Sequence, residues 1–180
     1  MPAQRKGFTL IELMVVIAII GILSAVGFVS FTNARISARD AKRKQDLRAV
    51  KVALELYYQK NRRYPTTTTL WQISTAAQPW IVDKGPAGDG VGAVALDTNY
   101  ISGLPIDPTN STTLLYQYYS SSAGYGSCQS GQYYFLTATL ENSNDAEAFS
   151  KKQYGGCGQT PFNWGSGSPG PNAFILTADQ

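Results

Sequence analysis

From Leu13 to Phe31 the only polar side chains are Ser24 and Ser30, and no other feature restricts the structure of this chain so strongly. About 20 apolar residues at about 1.5 Å rise cover the roughly 30 Å hydrocarbon core of a bilayer. The run is therefore long enough to cross a membrane, and too long and uniformly apolar for the core helix of a soluble domain. Glu12 stands directly ahead of it, where a carboxylate costs on the order of 2.5 to 3.5 kcal/mol on insertion scales and so requires a partner. Before Glu12 come Gly7, Phe8 and a short leader carrying Arg5 and Lys6. Two plainer readings compete. A cleaved secretory signal ending at Ala25-Val26-Gly27 would hold Glu12 inside its apolar region. A generic anchor pairing through Gly21 and Ala25 leaves Gly7, Phe8 and Glu12 without a role.

Gly7-Phe8-Thr9-Leu10-Ile11-Glu12 and the apolar run behind it resemble the N-terminus of the type IV pilin and pseudopilin superfamily. The resemblance implies that a membrane peptidase cuts between Gly7 and Phe8 and that Phe8 is then N-methylated. Gly7 offers no side chain to obstruct such a cut, and the apolar segment stays attached. Glu12 then has a partner: in a filament core, the Phe8 amine of one copy can lie against Glu12 of its neighbour and set the axial stagger. Glu12 is on this reading an assembly residue.

The pattern continues without a proline from Phe8 to Tyr64, and Tyr64-Pro65 is the expected helix stop. The sequence thus predicts one helix over about residues 9–62, about 80 Å long. Leu47, Val50, Leu54 and Tyr57 form a stripe on its second half, and Gly21 and Gly27 are its weak points. Four segments follow: a leader 1–7, a membrane or filament-core helix 8–31, its amphipathic continuation 32–63, and a head 64–180. Between Arg35 and Arg63 ten basic residues face Asp40, Asp46 and Glu55, whereas from Tyr64 onward three lysines face eight acidic residues. The stem is basic and the head acidic. The basic residues just past the membrane exit run against the positive-inside rule, but a cytoplasmic cut after Gly7 places the head outside.

Tyr64-Pro65-Thr66 and Leu104-Pro105-Ile106-Asp107-Pro108 also resemble this superfamily, particularly the major pseudopilins of type II secretion. A short helix is expected over residues 70–77 with Trp71 and Ile73 packed inward. A surface loop with Gly88, Gly90 and Gly92 is expected over 83–92, and strands over 114–121, 132–141 and 174–177. The fold class is α+β, with a small antiparallel sheet lying across the second half of the long helix. Cys128 and Cys157 suit one disulfide in an oxidising compartment, two buried thiols being the alternative. The absence of histidine removes the commonest acid/base and zinc chemistry. Some pseudopilins bind calcium, and Asp107 with Asn142-Ser143-Asn144-Asp145 could supply ligands here, but the spaced Asp-x-Asp pattern of a good oxygen cage is missing. Those residues are therefore read as a capping turn before a helix over 146–152, and no cofactor is expected. Asn110-Ser111-Thr112 fits a glycosylation sequon.

The resemblance implies a structural subunit, not an enzyme, of a type IV pilus. The alternative is a pseudopilin of a secretion or DNA-uptake system. Its implied partners are like copies of itself, the prepilin peptidase and methyltransferase, an assembly platform with its ATPase, and the membrane. It would be an inner-membrane, single-pass protein before assembly and part of an extracellular filament afterwards. Nucleic acid is not an expected partner, because a basic helix face is more often solvated or paired with acidic surfaces.

Overall fold

A computed structural model describes residues 7–67, 72–74, 80–84, 94–96, 99–121, 127–148 and 172–178, apart from the side chains of residues 26, 27, 29 and 94. One helix, α1, spans Leu10–Asn61, close to the expected bounds, and passes through both Gly21 and Gly27. Two compact units result, Met1–Ala38 and Arg39–Gln180. In the first, the described large apolar side chains from Phe8 to Phe31 are exposed. By length and composition this part of the helix can cross a membrane.

At its C-terminal end α1 closes as sterics require ahead of Tyr64-Pro65. Arg62 takes the left-handed conformation (φ 59°), and its N–H bonds the Tyr58 carbonyl at 2.7 Å, the bond of a left-handed cap. The Asn61 side chain covers the Tyr57 carbonyl at 3.0 Å. The chain then turns against Gly131 (φ 68°), where a Cβ would lie 2.9 Å from the Tyr64 carbonyl oxygen. Only glycine fits such an approach without strain.

Among the described residues the second unit carries six strands: β1 (Gln72–Ile73), β2 (Val82–Asp83), β3 (Val94–Ala95), β4 (Tyr116–Tyr119), β5 (Phe135–Thr139) and β6 (Ala173–Thr177). The main sheet has the order β1-β4-β5-β6, and β2 and β3 form a separate hairpin; all these pairs are antiparallel. Register places Tyr116 opposite Ala138 and Tyr118 opposite Leu136, then Ala138 opposite Phe174 and Leu136 opposite Leu176. With a side-chain period of two, these residues share one face and join Leu47, Val50, Leu54 and Tyr57 of α1 in the main core. Tyr133, Phe135, Ala173 and Ile175 form a smaller cluster on the alternate positions.

The expected helical stripe and all three expected strands are present, the first two shorter than their predicted ranges and the third one residue longer. The expected helix over 70–77 is not: Gln72 and Ile73 pair with Tyr118 and Gln117 as an edge strand, and Ile73 is exposed. Trp71 lies outside the described residues. Helix propensity there loses to a hydrogen-bonding partner supplied by β4. Val82–Asp83 is a strand rather than the start of a loop, while Gly88, Gly90 and Gly92 lie outside the described residues. The helix expected over 146–152 gives way at Ala148, which bridges Phe174; residues 149–152 are not described.

Candidate functional site

At the N-terminus, Gly7 and Phe8 are exposed, Phe8 at 94%, and a Cβ on Gly7 would meet nothing within 4 Å. Packing therefore does not explain Gly7. Thr9 and Glu12 form a reciprocal cap at the start of α1. The Thr9 N–H and hydroxyl each donate to Glu12 Oε2 at 2.8 Å, and the Glu12 N–H donates to Thr9 Oγ1 at 3.2 Å. Thr-x-x-Glu ahead of an apolar run is the sequence signature of this capping box, and a reading of Glu12 as a charge in search of a partner passes over it. Within one chain, the carboxylate already faces back to the N–H of the Phe8–Thr9 peptide.

The second constellation surrounds Arg43, which is fully buried. Its Nε and Nη2 reach the Asp107 carboxylate at 2.7 and 3.0 Å. Nη1 reaches Asp40 at 2.8 Å and Glu141 at 2.6 Å, and Nη2 also reaches the Thr109 hydroxyl at 2.6 Å. All five guanidinium N–H donors are thereby used. Asp40 in turn accepts from the backbone N–H groups of Glu141 and Asn142 at 3.0 and 2.9 Å. Arg39 adds a second guanidinium to Glu141, its Nε at 2.7 Å. Asp40 and Arg43 belong to the apolar stripe by position, at the same spacings of three and four as Leu47, Val50 and Leu54. They are its polar end.

Electrostatics follow from this geometry. The Arg39 guanidinium, with Arg43 beside it, outweighs partial burial and holds the Glu141 carboxyl at about 2. Burial pushes the Asp107 carboxyl up, but the Arg43 fork and the N–H groups of Thr109 and Asn110 outweigh it and leave it below its ordinary range. Next along, Lys44 pairs with Asp145 at 2.7 Å and Glu147 at 2.8 Å. Despite burial, those carboxylates hold its ammonium above the ordinary range.

The remaining residues singled out from sequence fall as follows. Asp107 bonds its own following backbone, accepting from Thr109 and Asn110 at 2.8 and 3.2 Å. Asp145 accepts from the Glu147 N–H at 2.9 Å, and the Asn142 side-chain Oδ1 accepts from the Asn144 N–H at 3.0 Å. Asn110 is exposed, in a left-handed conformation (φ 44°). Cys128 is disulfide-bonded, and Cys157 lies outside the described residues. Part of the basic stem is paired within its own chain, Arg39, Arg43, Lys44 and Arg48 each meeting a carboxylate of Asp107, Glu141, Asp145 or Glu147. Charge counting alone left those cations for solvent or for neighbouring subunits.

Residues 2–28 match the family described as the prokaryotic N-terminal methylation motif. The chain is 33% identical over 108 residues to the type II secretion system core protein G of Klebsiella pneumoniae, covering 60% of this chain and 71% of that one. To the protein of the same name from Pseudomonas aeruginosa it is 32% identical over 105 residues, covering 58% and 68%. To the type IV major pilin protein PilA of Myxococcus xanthus it is 38% identical over 61 residues, covering 34% and 28%. No solved structure matches the chain. With its long N-terminal helix, its antiparallel sheet and these relatives, the chain belongs to the type IV pilin and pseudopilin superfamily.

Proposed function

We propose that this chain is a pseudopilin-type structural subunit, stored in the membrane through its N-terminal helix, cut between Gly7 and Phe8, and assembled with like copies into a filament serving secretion. The observation that carries the assembly step is the exposure of the described large apolar side chains from Leu10 to Phe31. So much contiguous apolar surface must be covered by lipid or by other helices. Of the two superfamily branches, the pseudopilin reading draws on the longer likeness, about 105 residues against 61 for the pilin. The peptidase, the assembly platform and its ATPase are the partners this reading requires. The subunit acts by position, not by catalysis. It has no histidine, and the carboxylates around Arg43 and Lys44 are engaged with the chain's own cations.

Intact-mass measurement on the native protein tests processing. The expected mature chain begins at Phe8 and carries one N-methyl group, and retention of residues 1–7 or cleavage after Gly27 would falsify the proposal. A deletion strain separates the branches: loss of protein secretion with surface fibres intact supports the pseudopilin, and the reverse supports the pilus.

A further inference from the structure

Three carboxylates from three separate segments converge on one buried point: Asp40 of α1, Asp107 of the proline turn and Glu141 beyond β5, with the Thr109 hydroxyl beside them. Hard oxygen ligands gathered from several segments are how proteins cage a divalent cation such as calcium. Here the centre of the cage is the Arg43 guanidinium. We propose that Arg43, supported by Lys44, takes the place of a divalent cation in closing the second unit, so that its fold is completed by the chain's own cations and is indifferent to calcium.

The geometry supports this at each oxygen. Both Asp107 oxygens accept from Arg43, and one also accepts from two backbone N–H groups. Both Asp145 oxygens accept from Lys44. Among the described residues no group of three or more His, Cys, Asp or Glu side chains is placed to hold a metal ion in this arrangement. A calcium ion could enter only by displacing a guanidinium whose five donors are all in use, and nothing would then satisfy that buried cation. Planar fork geometry suits the task, because it meets Asp107 with two parallel bonds while its third nitrogen reaches Asp40 and Glu141. The inference concerns how the head holds together and stands whichever filament the subunit joins.

Thermal unfolding of the full chain in detergent micelles, followed by circular dichroism in excess calcium chloride and in excess EDTA, tests it. The wild-type protein is expected to melt at the same temperature in both. A melting temperature several degrees higher in calcium overturns the proposal. Arg43→Gln leaves the three carboxylates facing an uncharged centre, so this variant is expected to melt lower in EDTA and to recover several degrees in calcium. If it is unfolded in EDTA, recovery of its helical signal on adding calcium reads the same effect. A variant indifferent to calcium, folded or not, overturns the claim that Arg43 fills a cation cage.

Discussion

Within a single chain Glu12 closes the capping box with Thr9; the proposed function gives it a second role in the assembly, where its charge would meet an amine created by cleavage at Phe8. These roles separate by substitution. Thr9→Ala removes the cap alone and should cost about 1 kcal/mol of local helix stability, with cleavage and assembly retained. Glu12→Val removes both; it should still be cleaved after Gly7 but give a small fraction of the wild-type filament yield in sheared preparations. Equal yields from the two variants would leave the intermolecular charge without a purpose.

At the scale of elements, α1 has two faces in its second half, and they should respond differently to truncation. Leu54 is wholly buried, whereas Val52 is 61% exposed and Leu56 44% exposed. Leu54→Ala should destabilise by about 2–5 kcal/mol, and Val52→Ala by no more than about 0.5 kcal/mol, both read from denaturant unfolding in micelles. The helix and its stripe were legible in sequence because period and punctuation agree: no proline interrupts it, and Leu47, Val50, Leu54 and Tyr57 keep the spacing. The Arg43 cluster was not read there, although Asp40 and Arg43 extend the same spacing backwards. Their charge suggests a solvated face, and the partners that bury them lie 64 and 98 residues away in Asp107 and Glu141. Strands β1 and β2, two residues each, carry no period at all and exist through their partners.

Over the whole molecule, the Asp107 and Glu141 carboxylates that clamp Arg43 make stability depend on acid in a definite direction. Glu141 is held at about 2 and Asp107 below its ordinary range, so both bind protons less readily folded than unfolded. Their contribution is fully present above the ordinary carboxylate range and is lost as pH falls toward 2. The melting temperature should therefore climb from about pH 2 to pH 5 and level off above it, with a shallower climb in Glu141→Gln. A protein that grew more stable on acidification would contradict the clamp.

The head is also built around aromatic alcohols: Tyr57, Tyr64, Tyr116, Tyr118, Tyr133 and Tyr134 are all buried. Burial, aided by the carboxylates of Asp83, Asp46 and Glu55 respectively, raises the ionisation of Tyr57, Tyr116 and Tyr134 above the ordinary phenol range, and burial does the same for Tyr118. Phenolate absorbs ultraviolet light where phenol does not. In rising alkali these buried tyrosines should therefore colour only when the head opens. That step in absorbance is a built-in optical signal of unfolding, available without any label.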